Sequence, residues 1–195
     1  MDSTEFLGCA TRILFFTGKG GVGKTSLACS TAVALAGRGK RGFIETNTTG
    51  TSCLGPLAGL QAQKAIYDAS LRALSEPDTT TLVLVSRPEQ SALTEADRTR
   101  AELAEMGVTN QILFVNGVFV ARDRNDPAAA ALESRARRAL AAVPAGSAGL
   151  SHVDVPLLPS APMGIAQLRA VFIVAAAIAI EQVQMDARSV SSRHL

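Results

Sequence analysis

A glycine-rich motif, GKGGVGKT at residues 18–25, constrains the fold of this chain more than any other feature. It matches the phosphate-binding loop pattern, in which two glycines are separated by four residues and followed by lysine and by serine or threonine. Gly18, Gly23, Lys24 and Thr25 occupy these positions, with an apolar run before them and an Ala-rich run after them. The pattern requires a strand before the loop and a helix after it. We therefore predict a nucleoside-triphosphate-binding domain.

Each residue type in the motif has a chemical role in binding phosphate. Glycines let the backbone wrap a polyphosphate with its N–H groups pointing inward, at φ values that a Cβ would forbid. Lys24 is expected to neutralise the β and γ phosphates, and the Thr25 hydroxyl to bind Mg²⁺ beside the positive end of the next helix. The predicted nucleotide-binding residues of the loop are Gly18, Lys19, Gly20, Gly21, Val22, Gly23, Lys24, Thr25 and Ser26.

Length and composition predict one globular domain. A chain of 195 residues is long enough for one α/β domain and too short for two.

The formal charge of +2 is scattered along the chain, so no basic stripe forms and no nucleic-acid partner is expected. No export signal is predicted, because acids occupy the N-terminal segment where such a signal carries basic residues. The apolar run 171–180 has about half of the roughly 20 residues that a membrane-spanning helix needs.

The three cysteines, Cys9, Cys29 and Cys53, predict neither a disulfide framework nor a structural zinc site, because their number is odd and none belongs to a C-x-x-C pair. Reduced thiols are the simplest interpretation.

Apolar runs alternate with amphipathic or Ala-rich ones along the chain. Strands are predicted at residues 12–17, 42–45, 81–85, 111–115 and 153–158. Helices are predicted at residues 26–36, 57–74, 91–106 and 127–143, with Thr94 as a possible cap of the third and glycines 37, 39 and 107 as terminators. Strands that are apolar throughout indicate a parallel sheet covered by helices on both faces. The predicted class is α/β.

Lys19, directly after the first glycine, gives the loop the form K-G-G-x-G-K-T. This form resembles the "deviant" loop of a class of dimeric ATPases. The class includes the arsenite efflux pump ATPases, the tail-anchored protein targeting ATPases, and the septum-site and chromosome-partitioning ATPases. In that class the extra lysine reaches phosphates bound by a partner subunit or half. The resemblance implies that Lys19 and Lys24 are both catalytic; a single solvated lysine at position 19 is the alternative.

Further segments resemble the arsenite pump ATPases in particular. They are FFTGKGGVGKTS, FIETNTTGTSCLGPLAGLQAQ, TTLVLVSRPEQSALTEADRTRAELAEMGVTNQILFVNGVF and VPLLPSAPMGIAQL, in the family's order, and they cover most of residues 12–170. The resemblance implies a cytoplasmic ATPase, peripheral to the inner face of the membrane, that uses ATP and Mg²⁺. It would drive arsenite or antimonite out through an integral-membrane channel subunit, and it would work with a second ATPase half or as a homodimer.

The same resemblance assigns roles to three residues outside the loop. Cys53 matches a metalloid-binding cysteine, in keeping with the preference of soft trivalent arsenic and antimony for thiolates. Asn116 matches a residue that contacts adenine, and Pro159 begins a loop, 159–162, that packs beside the base. A small buried cysteine and a turn asparagine at a strand end are the alternatives.

A segment of the family is missing between Arg41 and Gly42. Family members carry there a strand ending in a water-activating aspartate, a first metalloid cysteine and a second switch. The strand ends of this chain carry no convincing metal-binding acid: they are Ser86, Arg87, Asn116 and Glu45. We therefore expect a single domain at 1–170 with an internal deletion at 41/42, and an unrelated tail at 171–195.

The deletion has two expected consequences. ATP turnover should lie near the uncatalysed level, and the incomplete sheet should expose an unpaired edge. Two other functions stay open, a catalytically silent nucleotide-binding remnant and a tail-anchored protein targeting ATPase. The second has little support, because its client groove would need helices from the missing segment.

Overall fold

A computed structural model describes residues 1–42, 44, 60–123 and 125–176, with residues 60–67 described by their backbone alone. This part of the chain forms four strands and seven helices. Their order is α1 (Ser3–Gly8), β1 (Ile13–Thr17), α2 (Lys24–Gly37), α3 (Leu60–Ser75), β2 (Thr80–Ser86), α4 (Gln90–Glu105), β3 (Gln111–Val118), α5 (Pro127–Ala141), α6 (Ala145–Ala148), β4 (His152–Pro156) and α7 (164–176).

The strands form one sheet in the order β1-β2-β3-β4, and every neighbouring pair is parallel. The predicted α/β class with a parallel sheet is therefore confirmed. Thr17 lies opposite Leu84, and Ser86 lies opposite Val115. The carboxyl ends of β1, β2 and β3 thus meet at one edge of the sheet. The glycine loop follows β1 there, Arg87 follows β2, and Asn116 lies two residues before the end of β3.

Helices cover both faces of the sheet. On the first face, which we call the α2 face, Phe114 of β3 is fully buried and its ring makes edge contacts with three others. The ring centroids lie 4.8 Å from Phe6 of α1, 6.3 Å from Phe16 of β1 and 6.3 Å from Phe172 of α7. On the opposite face, the α4 face, strand residues such as Leu84 and Leu113 pack against α4 and α5. Burial on both faces explains why the two central strands, β2 and β3, are almost continuously apolar, whereas Ile13 and Phe15 of β1 stay exposed.

Two sequence predictions differ from the structure, one at residues 42–45 and one at Thr94. Of the predicted strand 42–45, Gly42 and Ile44 belong to no strand, and the other two residues lie outside the described part. The first three residues of the helix predicted at 57–74 also lie outside it, and α3 is described from Leu60. Thr94 does not cap α4, which begins at Gln90; its hydroxyl instead donates to the Gln90 carbonyl at 2.9 Å. A hydroxyl one turn inside a helix can reach that carbonyl, and here it does.

Helix α1 was not predicted. The Asp2 carboxylate accepts hydrogen bonds from the N–H groups of Thr4 and Glu5, both at 2.7 Å, and so caps the helix. The capped turn places Phe6 in the core with no exposed surface. Because six residues are too few for a helical repeat to stand out, no periodic pattern predicts this helix.

Helix α7 crosses the predicted domain boundary at 170/171. Val171 and Phe172 are only 2% and 4% exposed, and the Ser3 hydroxyl donates to the Phe172 carbonyl at 3.2 Å. The packed domain therefore reaches at least residue 176. In the part of the chain that the structure describes, no helix combines the length and the apolar character that a bilayer crossing demands.

Asp154, on β4, carries a buried carboxylate oxygen that lacks a hydrogen-bond partner. Burial raises the pKa of Asp154, although His152 and the amino group of Met1 oppose the shift. A raised pKa means that the folded chain holds this proton more tightly than the unfolded chain. Its contribution to stability is complete below the ordinary value of 3.8 and is lost as pH rises through the raised pKa.

Asp154→Asn is therefore expected to raise the free energy of unfolding at pH 7 by about 1 kcal/mol, because it removes a buried unpaired charge. The gain should vanish below about pH 3.5, where the native carboxyl is also neutral. Urea unfolding of both proteins across this pH range measures the difference. Asp78→Asn, at an exposed carboxylate, is the control and should change little. A constant difference at all pH values would contradict this explanation.

Candidate functional site

The glycine loop connects β1 to α2, and two of its glycines are required by their surroundings. Gly18 has a φ of 147°, and a Cβ there would collide with the carbonyl oxygen of Val85 on β2. Gly23 has a φ of 94°, and a Cβ there would collide with the side-chain amide of Asn116 on β3. The loop is thus held against the ends of two neighbouring strands, in a path that only glycine permits at these points.

Lys24, the first residue of α2, turns its side chain back over the loop. Its ammonium donates to the carbonyl oxygens of Gly18 and Lys19, both at 2.9 Å. No side chain caps the first turn of α2, so its N–H groups are available to an anionic ligand. Lys19 and Thr25 are exposed beside them. This combination of a half-buried ammonium, uncapped helix N–H groups and an exposed hydroxyl fits a polyphosphate and its magnesium ion.

Acidic groups are sparse around the loop. The strand ends beside it carry Ser86, whose buried hydroxyl donates to the Arg87 carbonyl at 3.2 Å, and Asn116. Within residues 1–42, 44, 60–123 and 125–176, no three His, Cys, Asp or Glu side chains come together as a metal cluster. Among the described residues, the Thr25 hydroxyl is the group that the motif offers to Mg²⁺.

A cleft of about 360 Å³ lies beside the loop. Three of the predicted site residues line it together: Ser26 of α2, Asn116 of β3 and Pro159 after β4. The cleft is continuous with the first turn of α2, where the phosphates are expected. The structure thus brings together residues that are up to 133 positions apart in the sequence, from 26 to 159.

Asn116 also holds the loop itself. Its side-chain amide donates to the Val22 carbonyl at 2.8 Å, and Val22 is 4% exposed. The family resemblance assigns this residue to adenine, with a turn asparagine as the alternative. In the structure its amide fixes the loop to β3.

Asn116→Ala is expected to weaken nucleotide binding about tenfold, since it removes one hydrogen bond that orders the loop, worth about 1 kcal/mol, and exposes a carbonyl group without a partner. Titration calorimetry with MgADP measures the change. Asn110→Ala is the matched control. Asn110 lies at the opposite end of β3, where its amide donates to the carbonyls of Pro77 and Thr80. That variant should lower stability and leave the affinity unchanged; the reverse pattern would contradict the role assigned to Asn116.

Two polar side chains that line the cleft, those of Arg87 and Ser30, were not predicted as site residues. Arg87 follows β2 and lies against the backbone of Gly117, where an added Cβ would be 2.6 Å from Nη1 of the guanidinium. Ligands bind at the carboxyl ends of the strands in open α/β sheets, so the position of Arg87 directly after β2 could have identified it as a site residue from the sequence. Ser30, four residues after Ser26 on α2, has a fully buried hydroxyl without a hydrogen-bond partner. The only feature of the sequence that could have identified Ser30 is its position one helical turn after Ser26 of the motif.

The cysteines are not assembled into one site among the described residues. Cys9 is an exposed free thiol and Cys29 a half-buried one. Cys53, the predicted metalloid ligand, lies outside the described residues.

Comparison with known proteins identifies the family to which the chain belongs. The sequence pattern of a family described as anion-transporting ATPases matches residues 11–46 and 42–174. An arsenical pump-driving ATPase of Acidiphilium multivorum is 45% identical over 128 residues, which cover 65% of this chain and 22% of that protein. One from Escherichia coli is 44% identical over the same extent of both proteins. The chain thus spans about a fifth of these relatives. It belongs to the anion-transporting ATPase family.

Proposed function

We propose that this chain binds ATP with Mg²⁺ as the nucleotide-binding part of an ATPase that drives arsenite or antimonite efflux. One observation carries the proposal: the glycine loop, with Lys24 folded over it, opens at the carboxyl edge of the sheet directly beside the cleft. A triphosphate on the loop and a base in the adjoining cleft would fit the two parts of one nucleotide. The names of the relatives support the metalloid as the transported substrate.

The nucleotide can be assigned to the described side chains. Lys24 and the N–H groups at the start of α2 would hold the β and γ phosphates, and Thr25 would bind Mg²⁺. Asn116 and Pro159 would contact adenine, since both line the cleft. Arg87 lines the same cleft, and its planar guanidinium can stack on a base or pair with a phosphate.

Three further roles belong to the proposal through family membership. Lys19 is exposed and would reach phosphates bound by a second ATPase half or by another copy of the chain. Cys53 would contribute a thiolate to arsenite or antimonite. The chain would act in the cytoplasm, at the inner face of the membrane, on an integral-membrane channel subunit.

We also propose that the chain lacks the segment that activates water. The family match falls into two parts that overlap at residues 42–46, next to the predicted junction at 41/42. The strand ends beside the loop carry Ser86, Arg87 and Asn116 where an ATPase needs a carboxylate. These observations favour a second candidate function as well, a nucleotide-binding remnant that does not hydrolyse ATP. Either candidate predicts binding; they differ in turnover.

Equilibrium binding of MgATP tests the shared part of the proposal. Lys24→Ala is expected to weaken binding about 30-fold or more, because a charge-assisted bond to phosphate contributes about 2 kcal/mol. Lys40→Ala removes an equal charge just beyond the other end of α2 and should bind like the unmodified chain. If Lys24→Ala and Lys40→Ala bind MgATP equally well, the phosphate cradle is not where we place it.

A further inference from the structure

The Arg87 guanidinium lies flat against the backbone of Gly117. A Cβ added at Gly117 would lie 2.6 Å from Nη1, 2.9 Å from Cζ and 3.1 Å from Nη2 of this group. Because the three distances are similar, the added atom would sit over the plane of the guanidinium and not at its edge. One face of the guanidinium is therefore covered by Gly117, and the other face is turned away from β3.

The conformation of Gly117 permits this contact. Its φ of 85° is one that residues with a Cβ rarely adopt. A register shift between Asn116 and Val118 interrupts the pairing of β3 with β4 at this point, and such irregularities often redirect a side chain beside a site. The missing Cβ, the positive φ and the register shift together leave room for a planar group at the end of β3.

The charge of Arg87 is not matched by an acid nearby. Arg87 is half-buried, and its side chain makes neither an ion pair nor a hydrogen bond with another residue that the structure describes. None of the residues that line the cleft is acidic. A half-buried guanidinium without a protein partner is available to a ligand, through its N–H edge or through its free face.

The position of Arg87 favours the base of the nucleotide over the phosphates. Of the loop residues 18–26, all of which the structure describes, only Ser26 lines the cleft. Arg87 lines it together with Asn116 and Pro159. Because β3 lies between β2 and β4, Arg87 and Pro159 approach the end of β3 from opposite sides. A guanidinium pairs with phosphate through its N–H edge and with a base through its face, and it is a face that Gly117 leaves free here.

We propose that Arg87 is the stacking platform for the nucleotide base and makes the site select purine over pyrimidine nucleotides. The inference rests on the proposed binding of ATP. The free face of the guanidinium lies on one side of the base, and the loop that begins at Pro159 lies on the other. A cation over an aromatic ring is attracted to its π electrons, and bases stack on guanidinium planes in this way. Stacking grows with ring area, so the fused rings of a purine gain more than the single ring of a pyrimidine.

Titration calorimetry with MgATP and with magnesium tripolyphosphate tests which part of the nucleotide Arg87 contacts. Arg87→Ala is expected to weaken MgATP binding about tenfold, the effect of losing one stacked base. Binding of tripolyphosphate, which has no base, should stay unchanged, and this also shows that the variant is folded. Arg87→Lys keeps the charge and loses the planar group, so it should bind MgATP about as weakly as Arg87→Ala. Arg98→Ala, at an exposed ion pair with Glu95, should bind both ligands like the unmodified chain.

MgCTP on the same proteins measures the selectivity between bases. The unmodified chain is expected to bind MgCTP about fivefold more weakly than MgATP, and Arg87→Ala should reduce this ratio to below about twofold. An unchanged ratio, or full MgATP affinity in Arg87→Ala or Arg87→Lys, overturns the proposal. An equal loss of tripolyphosphate and MgATP binding in Arg87→Ala also overturns it and places the guanidinium on the phosphates. An unmodified chain that binds neither MgATP nor tripolyphosphate would contradict the proposed function itself, and this inference with it.

Discussion

The purified chain, supplied with MgATP, is expected to release phosphate at a rate close to the uncatalysed one, whether or not arsenite or antimonite is present. Strand ends beside the glycine loop carry Ser86, Arg87 and Asn116, none of which can serve as the carboxylate that positions water or metal. Groups that stabilise the developing charge of the transition state are each worth about 10²–10³ in rate, and a complete set is worth more. The rate enhancement lost with these groups is larger than the enhancement that positioning of the nucleotide by the loop alone can supply.

A coupled phosphate-release assay on the unmodified chain and on Lys24→Ala measures this turnover. Both should give the same low rate, because a loop that binds without activating water has little turnover to lose. ATP turnover that arsenite or antimonite stimulates, and that disappears in Lys24→Ala, would contradict the prediction and would show that the chain is a working ATPase.

Gly18→Ala is expected to lower the free energy of unfolding by about 3 kcal/mol, the sum of backbone strain and overpacking. The φ of 147° at Gly18 is unfavourable for any residue with a Cβ, and the added methyl would collide with the Val85 carbonyl. Relief of that contact requires the loop to move away from β2. Nucleotide binding should therefore be lost together with stability.

Gly20→Ala is the matched control within the same loop. An added Cβ at Gly20 meets no atom within 4 Å, and its φ lies outside the left-handed region. Urea unfolding should place Gly20→Ala within about 1 kcal/mol of the unmodified chain. Equal destabilisation of both variants would mean that the loop does not follow the path described here.

The parallel sheet was predictable because its central strands, β2 and β3, are buried on both faces. Runs such as those around Leu84 and Phe114 are apolar without alternation, and glycines 39 and 107 end helices at positive φ as their positions suggested. The loop was equally predictable, since its motif fixes the residue types and requires a strand before it and a helix after it. These features depend on residues that are close in the sequence.

The remaining features depend on contacts between distant residues, which no local pattern encodes. Helix α1 is short, and it is held by the Asp2 cap and by the packing of Phe6 on Phe114. The role of Asn116 in fixing the Val22 carbonyl, and the place of Arg87 over Gly117, follow from strand register. The burial of Phe172 beyond the predicted boundary depends on the same core.

The melting temperature of the unmodified chain in the presence of magnesium and nucleotide tests the central claim most directly. At a concentration about 100-fold above the dissociation constant, bound nucleotide adds about 2.7 kcal/mol to stability. For a chain of this size that raises the melting temperature by about 5–10 °C. The rise should grow with the logarithm of ATP or ADP concentration and should be about a third as large, or smaller, in Lys24→Ala, whose binding is expected to be about 30-fold weaker or more. A melting temperature that does not change with millimolar nucleotide and magnesium would contradict the claim that GKGGVGKT forms a phosphate-binding site.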